Sequence, residues 1–272
     1  MASLGVALVT GCTQGIGRAI ATRLAKDGFT LSLNDLPSKD AELQALASEL
    51  TFEGRKPHVV TGDVSVESDV QRMVVSTVEQ LGSLDVMVAN AGICITKGIL
   101  STSSEEWDRI AAVNGRGTFL CYKYAAKQMI DQGHGGRIIG ATSLAGKQGF
   151  ASLSAYSASK WTVRGLTQSA AHEFGKYGIT VNAYAPGIID TDMVAGIGSA
   201  LDPNNPNGFY DEYERKSAVR RNGTPADIAS IVSYLASKES SYITGLSISF
   251  LDLDQWFLIF NLAKVNRYVV LF

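Results

Sequence analysis

The chain has 272 residues, with 24 basic and 26 acidic side chains and a net charge of −2. Only 18% of its residues are charged and 46% are apolar, which excludes a disordered chain, and the near-neutral balance argues against a nucleic-acid partner. Glycine is abundant at 27 and proline scarce at 6, a bias toward tight turns and close backbone approaches.

The N-terminal MASLGVALVTG runs straight into an apolar strand over Val6–Thr10, without the basic and apolar segments of a secretory leader. A helix follows over Ile16–Asp27, with Ile16, Ile20, Leu24 and Ala25 on one face. Between them lies Thr10-Gly11-Cys12-Thr13-Gln14-Gly15-Ile16-Gly17, with glycines spaced GxxxGxG. Gly11 allows a tight turn, Gly15 lets backbone approach a pyrophosphate, and Gly17 lets the helix pack against the strand. The unpaired N–H groups at the helix start, around Gln14 and Ile16, favour an anion. A purely structural turn also needs glycines, so the strand–turn–helix context carries this reading.

The second strand, Thr30–Asn34, ends at Asp35, about 20 residues beyond the turn. Its carboxylate can accept bonds from both ribose hydroxyls of NAD and repels the 2′-phosphate of NADP. No Arg or Lys occurs at 12–14 or 34–38 to offset that repulsion, so NAD is favoured over NADP; the alternative is a helix cap. A helix over Ala41–Glu53 and a strand over His58–Thr61 come next, and Asp63 with Val64 closes that strand where an adenine edge would lie. Helices over Glu67–Leu81, Ser104–Gln132 and Ser154–Tyr177 then alternate with strands over Leu84–Ala89, Arg137–Ala141 and Thr180–Tyr184. A loop-rich insertion covers about Val194–Thr224, and Pro225–Ala236 reads as a further helix. Continuously apolar strands alternating with helices imply a doubly wound parallel sheet, helices on both faces, in one domain over 1–250.

Tyr156 and Lys160 lie four apart in a predicted helix and so share a face. A tyrosine ordinarily titrates near pH ~10, and an adjacent ammonium favours its phenolate. Ser143, at a strand end, can point its hydroxyl into the same cleft; its surroundings, ATSLA, lack the GxSxG elbow of a serine hydrolase. The three cysteines, Cys12, Cys94 and Cys121, form no CxxC pair and fit free thiols in a reducing cytoplasm. His58, His134 and His172 have no metal-ligand spacing, so no metal is expected. No apolar run reaches the ~18 residues of a membrane span. Arg215, Lys216, Arg220 and Arg221 alternate with acids and read as a solvated helix; Phe209, Tyr210 and Tyr213 are candidates to line a substrate pocket.

Taken together, TGCTQGIG at 10–17, Asp63, Asn90-Ala91-Gly92, Asn114, Ser143, Tyr156-Ser-Ala-Ser-Lys160 and Pro186-Gly187-Ile-Ile-Asp-Thr191 resemble the short-chain dehydrogenase/reductase family in order and spacing over about residues 4–249. The flavour is that of diacetyl/acetoin reductases and butanediol dehydrogenases. The resemblance implies a three-layer Rossmann-type fold and hydride exchange between a nicotinamide dinucleotide and a small secondary alcohol or its ketone. It implies Tyr156 as general acid/base, Ser143 as holder of the carbonyl oxygen and Lys160 on the nicotinamide ribose, lowering the phenol's pKa. It makes Asn114 the anchor of a relay water, lines the cleft with Asn90, Ala91 and Gly92, and clamps the carboxamide with Pro186, Gly187, Ile189 and Thr191. A homo-oligomer, tetramer or dimer, is implied as well. Open alternatives are an NADP(H)-dependent reductase of oxoacyl or polyketide-type substrates and a catalytically silent dinucleotide-binding protein.

The chain departs from the family pattern at its end. The family closes its sheet with a strand followed by Asp-Gly-Gly; here Ile243–Phe250 starts that strand, and the glycines do not follow. Residues 251–272 hold no glycine, are apolar at 15 of 22 positions and include Trp256, Phe257, Phe260, Tyr268 and Phe272. In the family that end lies near subunit interfaces and the substrate pocket, so assembly and pocket closure are the properties this tail bears on.

Overall fold

The computed structural model describes residues 3–51 and 55–249. Its strands are β1 (Val6–Thr10), β2 (Thr30–Asp35), β3 (His58–Thr61), β4 (Val86–Ala89), β5 (Gly136–Ala141), β6 (Ile179–Ala185) and β7 (Ser247–Ser249). Its α-helices are α1 (Gly15–Asp27), α2 (Asp40–Glu49), α3 (Glu67–Leu81), α4 (Ser104–Ile110), α5 (Gly117–Gln132), α6 (Ser154–Phe174), α7 (Asp192–Leu201), α8 (Gly208–Lys216) and α9 (Pro225–Ala236). The strands form one sheet in the order β3-β2-β1-β4-β5-β6-β7, all pairs parallel.

Successive strand residues point to opposite faces, and both faces of this sheet are covered. Ala7, Val9, Leu31, Leu33, Val86, Val88 and Ile139 pack against Ile20 and Leu24 of α1, Leu43 and Leu46 of α2, and Ile228 and Val232 of α9. Leu8, Met87, Ala89, Ile138 and Val181 face the other way, toward Val70 and Met73 of α3, Leu120 and Met129 of α5, and Ala170 of α6. The central strands β1 and β4 feed both cores and run apolar almost throughout, whereas β2 alternates, with Leu31 and Leu33 in one core and Ser32 and Asn34 hydrogen-bonded on the other face. On the first face α1 and α9 are also tied by polar bonds. Arg23 donates to Ser230 Oγ at 3.1 Å and Ser233 donates to Asp27 at 2.6 Å.

The chain builds outward from β1 through β2 to β3, then returns to place β4 on the other side of β1. That reversal opens a crevice at the carboxyl ends of β1 and β4, the place where doubly wound sheets bind ligands. Thr10 stitches it: its Oγ1 accepts the N–H groups of Asn90 at 3.0 Å and Ala91 at 3.1 Å.

Several expected boundaries shift. The helix expected over 104–132 is α4, a π-helical turn over Ala111–Arg116, and α5. The apolar spacing there continues without a break, so nothing in it announces the wider turn. The stretch at 194–224 is not mainly loop, for α7 and α8 occupy much of it. The strand expected from Leu84 begins at Val86, and α6 ends at Phe174, before a 3-10 turn at Gly175–Tyr177. Phe250 and the tail 251–272 lie outside the described residues, as does Glu53, the expected end of α2.

Candidate active site

The crevice is a cavity of about 480 Å³. At one end the β1–α1 turn forms its floor. Gly11 and Gly15 take φ of 63° and 54°, the left-handed region that glycine reaches without strain. A β-carbon on Gly17 would strike the Gly11 carbonyl oxygen, and only the Thr191 methyl, at 3.5 Å, approaches one on Gly15. The turn is therefore closed toward the sheet and open toward the cleft. No side chain caps α1 at Gln14, and its first turn carries no acid, so its N–H groups face the cleft without an internal anion. This cradle suits a dinucleotide pyrophosphate.

Asn90 holds the cradle in place: its Nδ2 donates to the carbonyls of Thr10 and Gly11, both at 2.9 Å, and its Oδ1 accepts the Tyr184 hydroxyl at 2.8 Å. Beyond the turn, Asp35, Asp63 and Val64 line the cleft as the spacing predicts. Two details differ. Asp35 Oδ2 already accepts the Thr13 N–H at 3.1 Å and the Thr13 hydroxyl at 2.7 Å, while Oδ1 accepts the Leu36 N–H at 2.9 Å. Each carboxylate oxygen has two lone-pair directions, so one acceptor site is left rather than enough for both ribose hydroxyls. The cation-free window also ends one residue too soon. The 3-10 turn Pro37–Lys39 brings Lys39 to the cleft wall, its Nζ bonded to Glu42 at 2.9 Å.

At the other end, Ser143, Tyr156 and Lys160 come together. Ser143 stands at the end of β5, its Oγ accepting the Ala145 N–H at 3.1 Å, and Leu144 N–H donates to Pro186 O at 2.8 Å, drawing in the Pro186–Thr191 loop. Tyr156 and Lys160 share one face of α6, with Nζ 5.5 Å from the ring centroid. Lys160 is buried and donates to Ala141 O at 2.8 Å. Burial, reinforced by Cys94, holds the Tyr156 phenol above its ordinary value, though the Ser143 hydroxyl bonded to it pulls the other way. The lowering by Lys160 that the resemblance implies is not among the influences on this phenol. Desolvation also pushes Lys160 itself down to about 8, against an opposing effect of Cys94.

Asn114 does not line the cavity; it lies beneath it in the π turn, fully buried. Its Nδ2 donates to Ile93 O at 2.9 Å and Ser159 Oγ at 3.0 Å, and its Oδ1 accepts the Ile93 N–H at 2.8 Å. A β-carbon at Gly92 would stand 3.2 Å from Asn114 Oδ1 and 3.3 Å from Lys160 Nζ, so both groups crowd against that glycine. Ala91, Gly92, Pro186, Gly187, Ile189 and Thr191 line the cleft.

Phe209, Tyr210 and Tyr213 do not line it. Phe209 and Tyr213 pair with each other, ring centroids 4.9 Å apart, and Met193 and Val194 of α7 face the cleft instead. All four basic residues are exposed, but only Arg215 and Lys216 lie on the expected helix, at the end of α8, while Arg220 and Arg221 follow it; Lys216 bonds Glu212 and Arg221 bonds Asp227. Thr13, Lys39, Arg109 and Cys94 escaped the sequence reading, being single polar residues whose approach to the site depends on the folds of three different loops and a helix. Among the described residues no group of three His, Cys, Asp or Glu side chains could hold a metal ion, and no helix is long and apolar enough to cross a membrane.

The chain is similar to known proteins along most of its length. The family model described as enoyl-(acyl carrier protein) reductase matches residues 11–250. The short-chain dehydrogenase/reductase eriH of Hericium erinaceus is 54% identical over 91% of this chain and 96% of its own. The L-2,3-butanediol dehydrogenase of Corynebacterium glutamicum is 41% identical over 88% of this chain and 94% of its own. The crystal structure of levodione reductase superposes with a TM-score of 0.87 at 35% identity, covering 94% of this chain and 98% of the other. A phosphate cradle at the switch point, a Ser-Tyr-Lys cluster facing it along one cleft, and likeness over nine-tenths of the chain leave one conclusion: the protein belongs to the short-chain dehydrogenase/reductase family of oxidoreductases, which bind NAD(P).

Proposed function

We propose that this enzyme interconverts a small or medium secondary alcohol, of the acetoin or diacetyl kind, and its ketone with NAD(H). The observation that carries this reading is the convergence of Ser143, Tyr156 and Lys160 at the opposite end of the cleft from the phosphate cradle. The similarity to a butanediol dehydrogenase supports the substrate class.

The turn Gly11–Gly17, through the backbone of Gln14, Gly15 and Ile16, would hold the pyrophosphate. Asp35 would hold the adenine ribose, Asp63 and Val64 the adenine edge, and Pro186, Gly187, Ile189 and Thr191 the carboxamide. Bound there, the dinucleotide supplies or accepts the hydride. In reduction Tyr156 donates its hydroxyl proton to the substrate oxygen, while Ser143 donates a hydrogen bond that stabilises charge on that oxygen. Lys160 fixes the nicotinamide ribose and passes the replacement proton toward Tyr156. Asn114 and Lys160, which both approach Gly92, would hold the relay water.

A second reading, an NADP(H)-dependent reductase of oxoacyl substrates, is favoured by Lys39 at the ribose end and by the description of the matching family model. Initial rates with NADH and NADPH across a panel of diketones, ketones and oxoacyl thioesters separate the two. NADH with small diketones is the expected best pair; NADPH with thioesters as the best pair refutes the proposal. We further propose a homo-oligomer in a reducing cytoplasm. In support, adjacent helices α5 and α6 expose Phe119 and Trp161, at 47% and 46%, and the three cysteines are free thiols.

A further inference from the structure

Asp35 has less to offer a ribose than its position promises. Oδ2 is filled by the Thr13 N–H and hydroxyl, and Oδ1 keeps a single open direction beside the Leu36 N–H. An adenosine ribose brings two adjacent hydroxyls. Thr13 is 8% exposed, yet it lines the cleft, and its hydroxyl has spent its one proton on Asp35. A hydroxyl oxygen retains acceptor lone pairs after donating, and no group among the described residues donates to this one.

We propose that Thr13 is the second half of the ribose-reading site, accepting the hydroxyl for which Asp35 has no room while fixing that carboxylate. A ribose O–H bonded to Thr13, whose own O–H is bonded to Asp35, forms a chain in which each bond polarises the next. The same unit excludes a 2′-phosphate, because a phosphate dianion has no proton to give Thr13 and lies against the Asp35 charge. The inference rests on the dinucleotide reading of the cleft.

The turn does not depend on the Thr13 hydroxyl for its shape. Cys12 N–H donates to Asn34 O at 3.2 Å, Asn90 grips the Thr10 and Gly11 carbonyls, and valine or serine at 13 keeps the N–H that bonds Asp35. Thr13→Val therefore removes the hydroxyl at nearly constant shape, and Thr13→Ser restores it. Dissociation constants for NADH and NADPH are measured on the full chain by reduced-nicotinamide fluorescence. Thr13→Val is expected to weaken NADH by roughly tenfold, the scale of one charge-assisted hydrogen bond, and to leave NADPH within about twofold. Thr13→Ser is expected to hold NADH within about twofold of the native chain. In an Asp35→Asn background, the Val substitution is expected to add less than about threefold, since the two residues act as one. Equal weakening of NADH and NADPH, no rescue by Ser, or an undiminished effect in the Asp35→Asn background would overturn the inference. A native chain that binds neither dinucleotide, or prefers NADPH, overturns the cofactor reading itself, and does so before any variant is made.

Discussion

Tyr156 and Lys160 stand one helical turn apart, and burial moves them in opposite directions along the pH axis. Desolvation disfavours whichever form is charged, so the phenol keeps its proton to higher pH while the ammonium loses its own near about 8. The resting enzyme is thus loaded for proton donation throughout the neutral range. Oxidation runs the proton the other way and needs the phenolate. The expected outcome is a kcat/KM for alcohol oxidation that climbs between pH ~7 and ~10, with no rise for ketone reduction over that span; a flat oxidation profile contradicts the assignment. Tyr156→Phe is expected to lower turnover by about 10²–10⁴-fold with NADH binding retained, read from steady-state kinetics and fluorescence titration. For stability the sign follows from linkage. The Lys160 value in the fold, about 8, lies below the ordinary value of about 10.4, so the folded chain binds fewer protons between those values. Its contribution to stability therefore rises as pH climbs through that window. The Tyr–Lys pair was legible because a four-residue spacing fixes one helix face. The filling of Asp35 Oδ2 by Thr13 was not, since it depends on the exact path of two separate loops.

At the level of elements, α1 is positioned by contact at Gly17. An alanine there would drive its β-carbon into the Gly11 carbonyl and the Asn90 amide, both held by other bonds. Gly17→Ala is expected to cost about 1–3 kcal/mol in a denaturant titration and to weaken dinucleotide binding with it, because strand and helix must separate. A variant of native stability and native affinity would show that the turn has room to give. The helix–strand alternation was readable because the central strands β1 and β4 are apolar on both faces. The helices of the insertion were not. The polar LDPNNPNG run is the connection between two short helices, α7 and α8; α8 buries no residue fully, carries the Phe209–Tyr213 pair along its own length, and is tied to the chain that follows by a bond from Asn222 to Tyr210 O. The turn residues of that run mask the helices on either side, and the aromatics that were candidates for the pocket wall stand on α8, while Met193 and Val194 of α7 face the cleft.

Across the whole molecule, the sheet order is what brings residues as distant as Gly11, Asp35, Asn90, Ser143 and Tyr156 to one crevice. That convergence could be expected from the switch-point rule, without any knowledge of side-chain contacts. Assembly is a property of the same scale. Phe119 and Trp161 are each nearly half exposed on neighbouring helices, and large exposed rings are costly unless a partner covers them. Light scattering is expected to give a mass of two or four chains, and Phe119→Glu with Trp161→Glu to shift it toward one. A monomeric native chain would leave this face for another use.

The π turn at Ala111–Arg116 makes the chain sensitive to length rather than to composition. It carries Asn114 on a turn wider than an α-helix, between two helices that hold their own places against the core. Removing one residue there would let the backbone relax to a regular helix, because a π turn accommodates about one residue more than an α turn over the same rotation. The two flanking helices would keep their faces, but Asn114 would lose the wide turn that sets it between Ile93 and Ser159. A change of one residue in length is thereby read out at a single side chain, while the helices on either side stay where they pack.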